Sequence, residues 1–372
     1  MNSMKWVMSA TVVAMSVVGC GGQSVVGGQQ AESSRGQALA QAFYGSDTLK
    51  DTFIAGALQA GSGLSVEGKG SGVGEACMRN GVGSSGFCGA GQQMLAPMSR
   101  DFAAPKTASG ATCLGGAAAD AKGCCPGERS NTIALDAVNA FVKTSTYTAL
   151  ASNGLTTQEL RRIFFATDSA NVAIPGACPT DWSAFGLPSA PIVKYRRDDL
   201  SGTTDTFKSL LKGGAFCPGV TVIVDESAAN PSPCTASDSA TACIGRLTEA
   251  GANAIGYAGD SASRPGNSKL KLKAVAPISP TTSVYVESNA TNVRKLLQAG
   301  ATDIYPLSRR LFLNENRNAA RSFDEATLHE WIYDTNSEDF EAILTEQGFI
   351  ACSDLGALDC GGDKGRGQGL CN

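Results

Sequence analysis

Residues 196–207 have the sequence RRDDLSGTTDTF, and this stretch decides how the rest of the chain is interpreted. A hydroxyl side chain at Ser201 or Thr203 can cap the first turn of a helix. Apolar residues recur at helical spacing over residues 207–211, and residues 190–195 before the stretch are typical of a strand. The pattern predicts a strand, a polar turn and the start of a helix.

The same stretch carries donors suited to a tetrahedral oxyanion. Gly202 lets the backbone approach a ligand, and the free N–H groups and positive dipole end of a helix start favour an anion. Arg197 would add a bidentate donor, and Asp199 is close enough in sequence to orient it. An ordinary capped helix with a surface Arg–Asp pair is the alternative, and the stretch alone does not separate the two.

The N-terminal sequence indicates export. Lys5 precedes an apolar run over residues 6–18, which is too short to remain as a membrane-spanning helix. The residues that follow resemble a lipobox, in which Cys20 becomes the lipidated first residue of the mature chain. We expect residues 1–20 to be a lipoprotein signal peptide and residues 21–37, rich in Gly, Gln and Ser, to be a flexible tether. A plain secretory signal cleaved elsewhere is the alternative.

The cysteine content agrees with export. Setting Cys20 aside from the 13 cysteines leaves 12, an even number suited to six disulfides in an oxidising compartment. The pairs that close short loops are the first expectation, namely Cys77–Cys88, Cys234–Cys243 and Cys360–Cys371. The single histidine, His329, and the lack of paired Cys-x2-Cys units argue against a metal site, and we expect no cofactor.

Net charge and the periodicity of apolar residues limit the class of protein. The formal net charge of -4 provides no basic field for nucleic acid, so we expect no nucleic-acid partner, and any anion must be held by local donors. Helical patterns that alternate with strand patterns predict an α/β fold. Strands are predicted, for example, at residues 41–45, 220–224 and 283–286.

Three further turns carry hydroxyl side chains. They lie at residues 45–48, 68–74 and 96–102. Neutral N–H and O–H donors that converge from several elements bind a tetrahedral oxyanion without trapping it through excess charge. These turns therefore favour the anion interpretation of residues 196–207.

Other chemistries fit the sequence less well. Residues 63–70 approach a P-loop, but Gly70 stands where Ser or Thr must hold magnesium. The chain has no G-x-S-x-G motif, and His329 is the only histidine that could act as a base. A serine–lysine arrangement is one hydrolytic alternative, and we expect the protein not to be an enzyme.

Six motifs, taken in chain order, resemble the phosphate-binding proteins of ABC transporters (PstS-like). They are GSDT at 45–48, GSG at 70–72, SRD at 99–101, RDDLSGT at 197–203, GANAIGY at 251–257 and YPLSR at 305–309. The resemblance runs from about residue 40 to 350. Its most specific piece is the RDDLSGT block.

The resemblance implies an α/β, type II periplasmic-binding fold with disulfide-rich insertions. Two lobes, residues 38–132 plus 276–372 and residues 133–275, would be joined by a two-stranded hinge and would hold an anion between them. The residues carried over as phosphate ligands are Thr48, the backbone of Leu49, Ser71, Ser99, Arg197, Ser201, Gly202 and Thr203. Asp199 would steady Arg197.

The chain departs from the family pattern at residues 99–101. Family members commonly place an acceptor Asp beside a serine there, whereas this chain reads Ser99-Arg100-Asp101. Hydrogen phosphate can donate its proton to a carboxylate, while sulfate has no proton and is repelled. Asp47 and Asp101 are therefore the candidates for selectivity. Arg100 is either a second cationic clamp or an outward-facing arginine paired with Asp101.

Together these features predict a lipid-anchored, monomeric solute-binding protein of the periplasm or cell surface. It would capture inorganic phosphate by hinge closure and deliver it to an ABC permease in the inner membrane. A binding protein for another oxyanion, such as sulfate, molybdate or a phosphonate, is one alternative. A surface lipoprotein that uses the same fold for sensing or adhesion is another, and a secreted phosphoester hydrolase is the enzymatic alternative.

Overall fold

A computed structural model of the protein describes residues 41–80, 87–89, 91–103, 112–199, 201–276, 278, 282–335, 337–353, 360 and 370–371. The predicted signal peptide, the predicted tether and Cys20 lie outside these residues. The described residues belong to one unit, Ala40–Asn372. None of their helices is both long and apolar enough to cross a membrane.

Short strands run through the whole described chain. In order they are β1 (Gln41–Gly45), β2 (Leu64–Lys69), β3 (Leu95–Met98), β4 (Glu128–Arg129), β5 (Thr132–Ala137), β6 (Asn139–Lys143), β7 (Gly154–Thr156), β8 (Val193–Arg197), β9 (Val220–Ile223), β10 (Ala254–Ala258), β11 (Asn267–Lys269), β12 (Lys271–Lys273), β13 (Ser308–Asn316) and β14 (Ile350–Ala351).

Helices alternate with these strands. They are α1 (Lys50–Ala60), α2 (Ser71–Met78), α3 (Thr144–Ala149), α4 (Thr157–Phe164), α5 (Gly202–Leu211), α6 (Ala240–Ala250), α7 (Ala290–Arg294), α8 (Phe323–Glu330) and α9 (Ser337–Glu346). Side-chain caps explain several of their starts. Ser201 Oγ accepts the Thr203 N–H at α5, and Thr156 and Glu159 form a capping box at α4.

Two larger sheets organise the fold. One has the strand order β11-β6-β10-β8-β9, in which β8 runs parallel to both β9 and β10. The other has the order β14-β5-β13-β3, with β4 also paired to β13. Eight of the nine residues of β13 are buried, and Arg310 is partly exposed. Parallel strands β1 and β2 form a separate pair, and so do β7 and β12.

Aromatic packing fixes α5 against the first of these sheets. Phe207 stacks on Tyr257 of β10 with ring centroids 3.9 Å apart, and Phe164 of α4 meets the Phe207 ring edge-on at 5.3 Å. All three rings are buried, and each such ring pair adds about 0.5–1.5 kcal/mol beyond its burial. Tyr257 Oη also lies 2.8 Å from Thr204 Oγ1, which holds the first turn of α5 in place.

The chain passes from one large sheet to the other at a single residue. Val138 separates β5, in the sheet with β13, from β6, in the sheet with β10. Its N–H donates to the carbonyl of Leu307 at 3.0 Å, immediately before β13 begins, and its carbonyl accepts from Tyr305 Oη at 3.2 Å. Two chain segments that link the sheets are therefore hydrogen-bonded side by side.

Twelve cysteines form six disulfides, as the even count predicted. The pairs are Cys77–Cys88, Cys113–Cys125, Cys124–Cys371, Cys178–Cys217, Cys234–Cys243 and Cys352–Cys360. Two of the three short-loop predictions are confirmed. The prediction of Cys360–Cys371 is wrong, because Cys352 lies eight positions from Cys360 and Cys371 reaches back to Cys124.

The α/β class is confirmed, and the prediction for residues 41–45 matches β1 residue for residue. The strand predicted at residues 283–286 is wrong. Only Val286 pairs there, in an isolated bridge with Leu272, because β12 takes β7 as its strand partner.

Candidate functional site

The β8–α5 junction carries the two arginines of the opening stretch. Successive side chains of a strand point to opposite faces, so Arg196 and Arg197 at the end of β8 cannot share one environment. Arg196 lies over the Phe216 ring at 4.3 Å and forms a two-bond pair with Asp199 at 2.8 and 2.9 Å. The predicted pairing of Asp199 with Arg197 is therefore wrong.

Arg197 is held by residues far away in sequence. Its Nη1 donates to Thr241 Oγ1 at 2.7 Å, and its Nη2 lies 3.6 Å from Asp225 Oδ2. The side chain is buried, and its Nε has no hydrogen-bond partner among the described residues. Asp225 follows β9, the parallel neighbour of β8, so both residues lie at the same edge of the sheet. Asp225 directly follows a predicted strand, as the opening stretch does, and this shared position could have indicated Asp225 from the sequence.

The turn after β1 reaches the same place. Ser46 Oγ accepts the Thr48 N–H at 3.2 Å and thereby caps the short turn Asp47–Leu49. Thr48 Oγ1 then lies 2.9 Å from Thr203 Oγ1 in the first turn of α5. Two hydroxyls that were predicted as ligands thus meet, although their segments are distant in sequence.

Arg309 joins this contact, and the sequence did not single it out as a site residue. Its Nη2 lies 3.4 Å from both threonine hydroxyls, of Thr48 and Thr203, and its Nη1 lies 3.3 Å from the Gly202 carbonyl. Asp136 Oδ2 accepts from Arg309 Nε at 2.9 Å and from Nη2 at 2.5 Å. The two residues are direct cross-strand partners in β13 and β5, a register that the sequence does not reveal.

Ser71, Ser99 and Gly202 pack against one another beside these threonines. The two serine hydroxyls lie 3.1 Å apart, and Ser99 N donates to Ser71 Oγ at 2.9 Å. A Cβ on Gly202 would lie only 1.7 Å from Ser99 Oγ. Glycine is therefore required at this position for the first turn of α5 to approach the serines.

Two other residues predicted as ligands form hydrogen bonds within their own turns. The Leu49 N–H donates to the Ser46 carbonyl at 3.1 Å, and the Leu49 side chain is fully buried. Ser201 Oγ accepts the Thr203 N–H at 3.2 Å. Both residues shape the turns that present Thr48 and Thr203.

Arg100 and Asp101 turn away from the threonine contact. Arg100 Nη2 pairs with the buried Glu75 at 2.6 Å, so the alternative in which Arg100 pairs with Asp101 is wrong. Arg100 does not line the cavity beside Thr48 and Thr203 either. Asp101 accepts from Ser130 Oγ and from the N–H groups of Phe102 and Leu370. Arg100 and Ser99 line a separate cavity of about 350 Å³, which Arg309 also borders.

Four of the predicted site residues, Asp47, Thr48, Arg197 and Thr203, line a cavity of about 200 Å³, which we name the cleft cavity. Ser71, Ser201, Gly202 and Arg309 do not line it. The charged and hydroxyl side chains that line it include Asp47, Thr48, Lys50, Arg197, Thr203, Asp225, Ser239, Thr241 and Asp260. The lining therefore mixes two cations, neutral hydroxyl donors and five carboxylates, because Asp51 and Glu226 also line the cavity. Such a surface offers both donors and acceptors to a small anion that still carries a proton.

Asp47 is one of the acceptors that line the cleft cavity. Its Oδ1 accepts the Lys69 N–H at 2.8 Å, and a Cβ on Gly68 would lie 2.1 Å from the same oxygen. Burial raises the pKa of the Asp47 carboxyl to about 6, although the Arg197 guanidinium opposes this shift. Asp47 is therefore ionised at neutral pH and can accept a proton donor. Asp101, the other candidate for selectivity, does not line this cavity.

Residues 133–333 match the family model described as the PBP superfamily domain, which is more than half of the chain. The chain belongs to the PBP superfamily. This membership agrees with the type II periplasmic-binding fold predicted from the sequence, and that fold is confirmed. No curated protein sequence matches the chain.

Solved structures share the PBP fold over most of the chain. An ABC-type phosphate transport receptor from Vibrio cholerae is 17% identical, with a TM-score of 0.53, and the match covers 83% of this chain and 98% of the receptor. A putative phosphate ABC transporter substrate-binding protein from Clostridium perfringens, solved with bound phosphate, is 19% identical with a TM-score of 0.51 and the same coverage. A possible phosphate-binding protein from Planctomyces limnophilus is 18% identical, with a TM-score of 0.53 and coverage of 85% and 95%. At these identities the likeness is one of fold.

Proposed function

We propose that this PBP superfamily member binds inorganic phosphate reversibly in the cleft cavity and catalyses no reaction. One observation carries the proposal. The hydroxyls of Thr48 and Thr203 come from two separate segments and line the cleft cavity with Arg197 and Asp47, and the guanidinium of Arg309, outside the lining, lies 3.4 Å from both hydroxyls. Hydroxyl and guanidinium donors that face one point are the groups that hold a tetrahedral oxyanion.

The donor set favours an anion that is held firmly but released. Arg197 contributes a buried guanidinium whose Nε lacks a partner among the described residues, and it is ion-paired with Asp225. The carboxylate offsets part of the positive charge, so the hydroxyls supply much of the binding. Hydrogen bonds to charged groups contribute about 1.5–3 kcal/mol each, so a few of them suffice for micromolar affinity.

Asp47 supplies the reason for phosphate rather than sulfate. Above pH 6 its carboxylate is ionised and accepts hydrogen bonds only. Hydrogen phosphate still has a proton to donate to it, whereas sulfate would place an oxygen against a negative charge. The shared fold with proteins described as phosphate receptors supports the same ligand.

The wider role that we propose is uptake of phosphate by an exported receptor. In this proposal Cys20 carries the lipid, residues 21–37 form the tether, and an ABC permease in the inner membrane receives the phosphate. The two lobes, residues 38–132 plus 276–372 and residues 133–275, would close on the ligand about the paired segments at Val138 and Leu307. Closure of this kind sequesters a ligand between rigid bodies.

Calorimetry with the full chain at pH 7.5 tests the ligand. We expect phosphate to bind and sulfate to bind at least about 100-fold more weakly, because one unpaired carboxylate–oxygen contact costs several kcal/mol. The Asp47→Asn variant should bind both anions with similar affinity. Equal binding of sulfate by the unaltered protein would overturn the assignment to phosphate. Tighter binding of molybdate or a phosphonate would assign the cleft to that anion instead.

A further inference from the structure

The cavity that Ser99 and Arg100 line has a volume of about 350 Å³, and we name it the Arg310 cavity. Among the described residues, none lines both this cavity and the cleft cavity. Pockets that hold small organic ligands begin at roughly 300 Å³. The Arg310 cavity is therefore large enough for an organic ligand, whereas the cleft cavity, at about 200 Å³, is smaller than such pockets.

Helix α5 presents one side to the Arg310 cavity. Two neighbouring pairs at i, i+4 spacing line it, Asp205 with Ser209 and Thr206 with Leu210. Residues at this spacing lie one above the other on a helix, so the four side chains share one side of α5. Phe207, on the opposite side, is fully buried. The side of α5 that faces away from Phe207 therefore borders the cavity.

Strand β13 forms a second wall. Ser308, Arg310 and Phe312 all line the cavity, and they alternate along the strand. Alternate residues of a strand project to the same face, so one face of β13 borders the cavity. Leu296, which is partly buried, adds a third apolar side chain to those of Leu210 and Phe312. Two elements that each turn a single face to the same space indicate a formed pocket with an apolar wall.

Guanidinium groups lie beside these apolar side chains. Arg310 is partly exposed, and burial lowers the pKa of its guanidinium, although Asp101 opposes this shift. A cation that has lost part of its water gains from an anion beside it. Arg100 and Arg309 also line the cavity. The positive lining favours an anionic ligand over a cationic one.

Asp205 is a carboxylic acid in the lining, and it bears on where the charge of a ligand would lie. Burial raises the pKa of the Asp205 carboxyl, while Arg100 and Lys208 lower it. Those two cations therefore compensate Asp205. A ligand carboxylate avoids Asp205 and is directed to Arg310 on the facing strand.

We propose that the Arg310 cavity binds an apolar monocarboxylate, with its carboxylate on Arg310 and its hydrocarbon part against Leu210 and Leu296. A guanidinium holds a carboxylate through two parallel hydrogen bonds. The hydrocarbon part gains free energy in proportion to the apolar area that it removes from water. The inference does not depend on the proposed phosphate site, because the two cavities have separate linings.

Calorimetry of the full chain with octanoate, 1-octanol and octylammonium tests the proposal, since the three probes share a chain and differ in charge. Ser209 is exposed and lines the cavity, so Ser209→Trp fills it without removing a packed side chain. Gln298→Trp is the matched control, because Gln298 is exposed, lies two positions after Leu296 and does not line the cavity. Arg310→Gln removes the charge, and Arg310→Lys keeps it. The melting temperature of each variant without ligand shows whether it is folded.

We expect one octanoate to bind per chain, 1-octanol to bind about tenfold or more weakly, and octylammonium not to bind. Ser209→Trp should weaken octanoate binding at least about tenfold, and Gln298→Trp should change it by less than about twofold. Arg310→Gln should weaken it about tenfold or more, the effect of hydrogen bonds to a charged group, and Arg310→Lys should weaken it less.

Absence of saturable octanoate binding would overturn the inference, and so would unchanged octanoate affinity in Ser209→Trp or an equal loss in both tryptophan variants. Equal affinity for octanoate and 1-octanol, or binding of octylammonium, would overturn the carboxylate assignment. Phosphate affinity, measured separately, tests the cleft cavity alone.

Discussion

Thr48 Oγ1 lies 2.9 Å from Thr203 Oγ1, although 155 positions separate the two residues in sequence. Both hydroxyls also face Arg309 Nη2 at 3.4 Å. The contact joins the turn after β1 to the first turn of α5. The distance between the two hydroxyl oxygens therefore reports how closely the turn after β1 approaches α5.

Replacement of Thr48 or Thr203 by valine should weaken phosphate binding roughly tenfold or more. Each variant keeps the shape of the side chain but removes a hydroxyl donor to a charged ligand, a loss of about 1.5–3 kcal/mol. Titration calorimetry measures the effect. Thr148→Val on the exposed surface of α3 is the control and should bind phosphate normally. Unchanged affinity in both site variants would place the ligand elsewhere.

Asp47 should make the stability of the protein depend on pH. Its pKa is raised from 3.8 to about 6 in the folded protein, so the folded state holds a proton that the unfolded state releases between these values. The free energy of unfolding should therefore fall as the pH rises from 3.8 to about 6 and level off above it. The full shift corresponds to about 3 kcal/mol, and we expect roughly 1–3 kcal/mol because Asp47 is only half-buried.

Urea unfolding at several pH values measures this dependence. Asp47→Asn lacks the titrating group, so its unfolding free energy should exceed that of the unaltered protein at pH 7 and should lose this part of the slope between pH 4 and 6. Parallel curves for the two proteins across the range would show that Asp47 titrates normally.

Gly202→Ala should separate the two segments of the site. The added Cβ would lie 1.7 Å from Ser99 Oγ and 3.0 Å from Ser71 Oγ, so the serine side chains or the first turn of α5 must shift. We expect at least a tenfold loss of phosphate affinity, because donors displaced by about an ångström no longer reach one ligand.

Gly56→Ala in α1 provides the matched control. There the added Cβ meets its nearest neighbour, in Trp331, at 3.4 Å, which is ordinary contact. Alanine in a helix interior should stabilise the protein by about 0.5–1 kcal/mol and leave phosphate binding unchanged. Equal phosphate affinity in the two glycine variants would show that the close approach at Gly202 is not needed for binding.

Arg309→Met should lower the free energy of unfolding by about 3–5 kcal/mol, because it leaves the buried carboxylate of Asp136 without its counter-ion. The double variant Arg309→Met with Asp136→Leu should recover much of this loss. Arg246→Met removes a half-exposed arginine from its pair with Asp238 and should cost less than about 1 kcal/mol. Similar losses in the two single variants, measured by urea unfolding, would contradict a structural role for the Asp136–Arg309 pair.

Local signals in the sequence were enough for much of the fold. The bounds of β1 follow from the local sequence pattern of its residues. The cap of α5 depends on the single hydroxyl of Ser201. Each signal lies within a few residues of the element that it predicts. The prediction of a strand at residues 283–286 was wrong. Whether an apolar segment joins a sheet depends on which neighbouring strand is free to pair with it. Such neighbours are chosen by tertiary packing.

The site was predictable where its residues are neighbours in sequence and not where they are neighbours in space. Thr48, Arg197 and Thr203 were named from their motifs, and they line one cavity. The partner of Arg197 was misassigned because the nearby Asp199 satisfies Arg196 on the opposite face of β8. Arg309 was missed because its role depends on the register between β13 and β5, which no local pattern encodes.

The disulfide between Cys124 and Cys371 joins residues 247 positions apart, while the adjacent Cys125 bonds Cys113 only 12 positions away. An exported chain that emerges from its N-terminus presents Cys113, Cys124 and Cys125 to oxidants long before Cys371 arrives. Early pairing of Cys113 with Cys125 gives the native bond, whereas early pairing of Cys124 with Cys113 must be reversed by exchange before Cys124 can bond Cys371. Biosynthesis of this protein should therefore depend on a disulfide isomerase, and cells without one should accumulate mispaired chains.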